Sequence, residues 1–201
     1  VAPPPKLEKE MKSSEKKAPR EESALIQKKA ETKVLEIRVC PKDGINIRKG
    51  PGINFEKEGK LLKGEKLYVV EEKNNWIRFR ATPQDVGWYG WVRKDLTIPL
   101  DKWNLDRYVE EINKIQKSIG IRLIDSVSVS GNKATLTVTN IWHLRNYQIR
   151  LQDAQTLWKI WANIYSPLRP DEARITLIDF NGNKVGGSSW LGGSDIKVKR
   201  Y

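Results

Sequence analysis

The sequence predicts a multi-domain chain with a disordered tail, a small all-β barrel and an α+β domain. Residues 1–33 are rich in charged residues and proline and contain no aromatic residue. Residues 34–99 alternate apolar and polar residues in short runs, and glycine, proline and asparagine separate these runs as in short β-strands. Residues 103–201 mix helical and strand periodicity. We interpret the three segments as a linker followed by two folded domains.

The tail has few large aliphatic side chains, so it cannot bury enough apolar surface to offset the entropy lost on ordering. We therefore expect residues 1–33 to be a disordered, charged, proline-containing linker that tethers the barrel to something upstream. Because the sequence begins at Val1 rather than at methionine, we also expect that a leader or an anchor has been removed.

The barrel prediction depends on turn residues that recur between short strands. A strand-like run, Asn46-Ile47-Arg48, ends at Gly50-Pro51-Gly52, and Lys63-Gly64 and Asn74-Asn75 mark two further turns. Trp76 then opens another strand-like run, and Gly90-Trp91-Val92 closes the series. Several short strands at this spacing are typical of a small barrel.

These motifs, in this order, resemble the bacterial Src-homology-3 (SH3b) family over residues 34–99. The resemblance implies an SH3-like barrel of five to seven strands that serves as a binding or targeting module in the cell envelope. Several family members recognise peptidoglycan, so the resemblance also implies a periplasmic or other extracytoplasmic location. The Ala-Leu-Tyr-Asp-Tyr opening of eukaryotic SH3 domains is absent, so proline-rich ligands are not implied. Residues 81–89 are a longer excursion than the tight turn usual in the family.

The resemblance implies a ligand face made by the loop after Arg48, by Trp76 and by the long excursion. Aromatic rings on a barrel rim suit sugar rings or peptide backbones, although the rings of the excursion could instead fold back onto the protein. The two arginines of this set are expected to pair with ligand carboxylates, which wall peptides supply. The predicted ligand-binding residues are Arg48, Asn54, Phe55, Trp76, Arg78, Trp88 and Tyr89.

The carboxy-terminal half resembles no family that we name, but its elements follow from periodicity. An apolar helical stripe ends at Gly120, and strands are predicted at residues 121–129 and 134–139. A second helix stops before Pro167, and Asn181-Gly182 predicts a hairpin between the last two strands. The order α-β-β-α-β-β implies helices on one face of an antiparallel sheet. The glycine-rich residues 185–194 lack the Lys-Ser/Thr ending of a phosphate loop and are predicted to be a bulged or bent edge strand.

The net charge of +12 is spread along the chain. Basic side chains exceed acidic ones by three in residues 1–33, by four in residues 34–99 and by five in residues 100–201. No stretch forms the dense basic run of a phosphate-tracking surface, so nucleic-acid binding is not expected. An anionic surface remains a possible partner, because an evenly basic protein favours anionic surroundings.

The chain has one cysteine and one histidine, which excludes most wall-hydrolase chemistry. Cys40 lies in the predicted barrel, where we expect a buried structural thiol, and His143 lies in the other domain. Together they cannot supply a zinc site or a cysteine–histidine pair, and a carboxylate-only glycosidase is disfavoured by the small size of the second domain. We expect no enzyme activity, no metal and no cofactor.

Three function hypotheses follow from the sequence. The leading one is a non-enzymatic envelope protein whose SH3-like module binds peptidoglycan or an envelope protein. The alternative is a scaffold, assembly or sensor protein in which the barrel packs on the carboxy-terminal domain, and a buried Trp88 and Trp103 at a shared interface would favour it. Trp103 and Trp142 lie at the ends of predicted elements, where they could seal the junction. The third is a basic nucleic-acid-binding protein.

Overall fold

The first folded part is all-β and antiparallel in a computed structural model, which describes residues 33–84 and 90–200. Its strands are β1 (Glu36–Val39), β2 (Ile45–Arg48), β3 (Lys57–Leu61), β4 (Lys66–Lys73), β5 (Trp76–Arg80), β6 (Gly90–Arg93) and β7 (Ile98–Pro99). They form one sheet in the order β3-β2-β6-β5-β4-β1-β7. Strands β2 to β6 all contribute side chains to a single buried cluster, which requires a strongly curved sheet. The all-β prediction is therefore confirmed for residues 36–99.

Two of the predicted turns have the backbone geometry that their residues favour. Asn74 and Asn75, between β4 and β5, have φ angles of 49° and 63°. Positive φ at both central residues is the geometry of a two-residue hairpin turn, and asparagine tolerates it better than most residues. Gly64, between β3 and β4, has a φ of 88°, which only glycine adopts readily.

The second folded part contains three α-helices, a short 3-10 helix (Pro170–Glu172) and a five-stranded sheet. Its elements are α1 (Leu100–Ile119), β8 (Ile124–Ser130), β9 (Lys133–Val138), α2 (Asn140–Leu144), α3 (Tyr147–Tyr165), β10 (Arg174–Ile178), β11 (Lys184–Ser188) and β12 (Ile196–Val198). Helix α1 ends at Gly120 in the left-handed conformation, as predicted. Asn146 caps α3, because its side chain accepts a hydrogen bond from the backbone N–H of Ile149 at 3.0 Å.

Helices α1 and α3 pack on one face of this sheet, where Ala134, Leu136 and Val138 of β9 are buried. The other face carries polar side chains of the same strand, including Thr135 and Thr137. None of the helices among residues 33–84 and 90–200 is long and apolar enough to cross a membrane.

The predicted order α-β-β-α-β-β and the antiparallel sheet need correction. The sheet order is β12-β11-β10-β9-β8, and β9 and β10 are parallel while the other neighbours are antiparallel. The reason is the connection: the chain leaves β9 through α2 and α3 and returns to the starting end of the sheet, and such a crossover joins parallel strands. The short helix α2 and the additional strand β12 were not predicted.

The prediction of an edge strand in the glycine-rich segment was wrong. Strand β11 lies inside the sheet, because the chain turns back after Ser188 and adds β12 outside it. Gly186 admits the close approach of this neighbouring backbone. A Cβ built on Gly186 would lie 3.0 Å from the carbonyl oxygen of Lys197.

Both sheets lie in one compact unit that begins at Val34. Helix α1 follows β7 directly and packs against β1 and β7. Trp103 of α1 is half-buried close to Gly64, so it lies at the junction as expected. Trp142 does not lie there, because its ring is fully buried in the core of the second part.

Candidate functional site

Four side chains form a row across the outer face of the first sheet. Arg48 of β2 and Arg78 of β5 both lie directly opposite Trp91 of β6, and Arg78 also lies opposite Glu71 of β4. Residues directly opposite each other on neighbouring strands project from the same face of a sheet. Ile77, which precedes Arg78, points to the opposite face and belongs to the core. The strand pairing therefore places Trp91 between Arg48 and Arg78, and the Trp91 side chain is largely buried there, at 7% exposed.

Hydrogen bonds fix the loop that follows Arg48. A guanidinium N–H of Arg48 donates to the carbonyl oxygen of Phe55 at 2.7 Å, which ties the loop back to the end of β2. The backbone N–H of Lys49 donates to the carbonyl oxygen of Glu56 at 3.0 Å, and the two side chains form an ion pair at 2.6 Å. This ion pair raises the pKa of Lys49 and lowers that of Glu56, mainly through the hydrogen bond between them.

The ring of Phe55 rests on two glycines of this loop. A Cβ built on Gly50 would lie 2.6 Å from Cγ of Phe55 and closer still to two further ring carbons. A Cβ on Gly52 would lie 3.3 Å from Cδ2 of the same ring. Despite this support the residue is 47% exposed, and the neighbouring Ile53 is 70% exposed. The loop therefore presents a held aromatic ring and an aliphatic side chain to solvent.

The segment with these features matches a known family. Residues 43–97 are a bacterial SH3 domain by their match to the model of that family. The match includes β2 to β6 and every predicted ligand-binding residue, and the predicted family is thus confirmed for this segment. No other family is recognised, and no curated protein and no solved structure matches the chain.

The SH3 domain brings some predicted ligand-binding residues together and not others. Arg48, Asn54 and Phe55 lie in or beside one loop, and both Asn54 and Phe55 are exposed. Arg78 lies two strands away from Arg48 and pairs with Glu71 at 3.4 Å. Trp76 lies opposite Arg93 at the start of β5 and is 9% exposed, so its ring borders the face without offering a broad contact. Trp88 and Tyr89 lie outside the described residues, and their role in contact stays a prediction.

Both acidic and basic side chains surround the outer face of the first sheet. Besides the pairs already described, Lys94 pairs with Glu72 at 2.7 Å, and Arg93 pairs with Asp95 two residues further on. Each of these cations has an acidic neighbour, so the face does not offer the uniform positive potential that tracks a polyphosphate.

The two residues considered for catalysis belong to different parts of the fold. Cys40 is fully buried in the core of the SH3 domain, as expected, and its thiol donates to the carbonyl oxygen of Lys42 at 2.9 Å. Burial raises the pKa of this thiol, which disfavours the reactive thiolate. His143 lies in α2 of the second part. Within residues 33–84 and 90–200, no cluster of His, Cys, Asp or Glu could hold a metal ion.

Two relevant residues were missing from the predicted site. The family resemblance implies that Trp91 helps pack the barrel and borders its ligand face, but its place between Arg48 and Arg78 depends on strand pairing that the sequence does not give. Trp190 is 84% exposed in the loop between β11 and β12. A tryptophan and a leucine inside a run of glycine and serine could have indicated an exposed apolar pair.

Proposed function

We propose that this protein is a non-enzymatic binding or targeting protein of the bacterial cell envelope, and that its SH3 domain recognises peptidoglycan or an envelope protein. The observation that carries the proposal is the loop between β2 and β3, residues 49–56, which we call the Phe55 loop. In it the half-exposed ring of Phe55 is held beside Arg48. The usual role of the family supports an extracytoplasmic location. The buried thiol of Cys40 supports a binding role rather than catalysis.

Peptidoglycan offers the groups that this loop would bind. The ring of Phe55 and the side chain of Ile53 provide apolar area for a sugar ring or for the aliphatic part of a wall peptide. A guanidinium has five N–H donors, and the bond from Arg48 to Phe55 engages one of them. The group can thus hold the loop and also bind a ligand carboxylate. Because each of these contacts is small, we expect affinity in the micromolar range or weaker.

The scaffold alternative is favoured by a different observation. Helix α1 follows β7 without a linker and packs against β1 and β7, so the SH3 domain is joined to the second part by contacts as well as by the chain. In this alternative the domain acts as a fixed platform for assembly, and its outer face binds a protein. Both functions use the same outer face of the SH3 domain, so they are distinguished by identifying the molecule that binds there.

Retention on purified cell-wall sacculi tests the leading proposal. We expect the wild-type protein to be retained and Phe55→Ala to be released. Trp190→Ala is the matched control, because it also removes an exposed ring but from the second part, and we expect it to be retained. The double substitution Trp88→Ala/Tyr89→Ala tests the predicted contribution of the excursion. Equal retention of wild type and Phe55→Ala would refute the site, and failure of wild type to bind would exclude peptidoglycan as the ligand.

A further inference from the structure

The two edges of the five-stranded sheet differ in how they are protected. One edge is β12, which has only three residues, Ile196–Val198, with Lys197 in its centre and Lys199 directly after it. Short length and lysine are common means of preventing an edge strand from pairing with another chain. The opposite edge is β8, which has seven residues and, within the part of the chain that the structure describes, pairs only with β9.

Strand β8 lacks those means of protection along most of its length. Residues 126–130 contain no charged residue and no proline. The single charge in the strand, on Asp125, lies at the bulge near its start and pairs with Arg122 at 2.9 Å. An edge of this kind presents backbone N–H and C=O groups that can pair with a further strand.

The sequence of this edge reads the same in both directions. It is Ser126-Val127-Ser128-Val129-Ser130, with Ser128 at the centre. When two copies pair antiparallel about Ser128, serine lies opposite serine and valine opposite valine. A slip of one residue would instead place valines opposite serines, so that the apolar face of one copy would continue the polar face of the other. The symmetry of the segment thus favours a second copy over an unrelated peptide, because a two-fold interface must be complementary to itself.

In this antiparallel pairing, the apolar and polar faces of β8 in the two copies also coincide. Val127 and Val129 are half-buried on the helix side, where they pack against the core. Ser126, Ser128 and Ser130 are exposed on the open side, and the hydroxyl of Ser126 donates to that of Thr137 at 2.9 Å. In the symmetric pairing each valine meets a valine on the apolar side, and the hydroxyl groups of two copies continue one polar face.

We propose that two copies of this chain associate by antiparallel pairing of β8, with Ser128 at the two-fold axis, to form a continuous ten-stranded sheet. A dimer carries two SH3 domains. If the SH3 domain binds the wall as proposed above, two domains bind a repeating wall polymer more strongly than one, because the second binding event is intramolecular. The pairing of β8 itself does not depend on wall binding.

Sedimentation velocity of the full chain measures the association without any ligand, so its failure is distinguishable from failure of wall binding. Because the interface is small, the series extends over roughly 1–300 μM. We expect a monomer–dimer equilibrium that shifts toward dimer as salt is raised, since each copy has a formal net charge of +12 and the copies repel each other.

Charge substitutions at the axis test the register. Ser128→Lys places two ammonium groups opposite each other and Ser128→Asp two carboxylates, and each should raise the dimer dissociation constant roughly fivefold. An equimolar mixture of the two variants should associate again, because lysine then faces aspartate. Asn163→Lys adds the same charge to an exposed position of α3 and should leave the dissociation constant unchanged.

Cross-linking provides a second measurement that does not depend on charge. Ser128→Cys should form a disulfide-linked dimer under mild oxidation, because directly opposite Cβ atoms approach to about 4.5 Å, the upper end of the range that a disulfide bridges. Ser126→Cys should not link to itself but should link to Ser130→Cys. A wild-type monomer over the whole concentration series would overturn the proposal. So would a dimer that Ser128→Lys leaves unchanged, or cross-linking of Ser126→Cys to itself in preference to Ser128→Cys.

Discussion

Replacing Gly50 by alanine should displace the Phe55 ring without removing any atom from it. The new methyl group would lie within 2.6 Å of Cγ of Phe55, which is closer than real Cβ contacts. The backbone at Gly50 is outside the left-handed region, so alanine fits the local conformation there. The half-exposed ring is the part that can move, and we expect it to swing into solvent.

The size of the effect follows from the area that the ring now buries. A phenylalanine buries roughly 200 Å² when enclosed, and Phe55 is 47% exposed, so about 100 Å² returns to water. At about 25 cal/mol per Å² this loss amounts to roughly 2.5 kcal/mol as an upper estimate. Alanine recovers about 0.4–1 kcal/mol by restricting the unfolded chain. The net loss in unfolding free energy is thus about 1.5–2 kcal/mol, which lowers Tm by roughly 3–8 °C.

Thermal unfolding and sacculus retention, measured on the same variants, test this reasoning. Gly59→Ala is the matched control, because a Cβ there would lie 3.6 Å from Cδ1 of Ile47, an ordinary contact. The Tm and the retention of Gly52→Ala should lie between those of Gly50→Ala and Gly59→Ala, since the Cβ of Gly52→Ala would lie 3.3 Å from the Phe55 ring. We expect Gly50→Ala to lose retention as Phe55→Ala does, and Gly59→Ala to keep it. A Gly50→Ala variant that keeps wild-type stability and retention would refute the positioning role of this glycine.

Three further predictions concern groups outside the loop. Tyr108→Phe should lower the unfolding free energy by about 1 kcal/mol in chemical denaturation, because the buried hydroxyl donates to the carbonyl oxygen of Leu157 at 2.9 Å. The Cys40 thiol should react with a disulfide reagent only as the protein unfolds. Rapid labelling of the native protein would contradict this burial. Because burial raises the pKa of the Cys40 thiol, the contribution of the protonated thiol to stability should be lost as pH rises above the ordinary range of a thiol. Hydrogen bonds from Asn183 and Asn181 lower the pKa of Asp179, so its contribution should be lost as pH falls below the ordinary carboxyl range. Asp179→Ala should therefore weaken the fall of Tm with decreasing pH in the acid range. An unchanged dependence of Tm on pH would contradict this role of Asp179.

Local features of the fold were predictable because they depend on neighbouring residues. Gly120 ends α1 since the left-handed conformation that closes this helix favours glycine. Asn74 and Asn75 form the predicted turn for a similar reason. The motif around Gly50-Pro51-Gly52 identified the SH3 family, and the structure supplies a physical reason for two of its residues, because both glycines make room for the Phe55 ring.

Features that depend on which strands pair could not be obtained from local patterns. The antiparallel sheet predicted for the second part is mixed, because the connection through α2 and α3 returns the chain to the starting end of β9. Trp142 was assigned to the junction from its place at the end of an element, but it is buried in the core. Its surroundings come from residues far away in the sequence, which periodicity does not record.

The sequence by itself determined the family of the first domain, the two long helices, several turns, and the candidate residues Arg48, Asn54 and Phe55. Tertiary structure decided how these residues are used. It placed Trp91 between Arg48 and Arg78, seated the Phe55 ring on Gly50, and left β8 rather than the glycine-rich strand at the open edge. The physical reason is that turns and caps arise from the backbone preferences of adjacent residues, whereas register, ring seating and sheet edges arise from contacts between segments far apart in the chain.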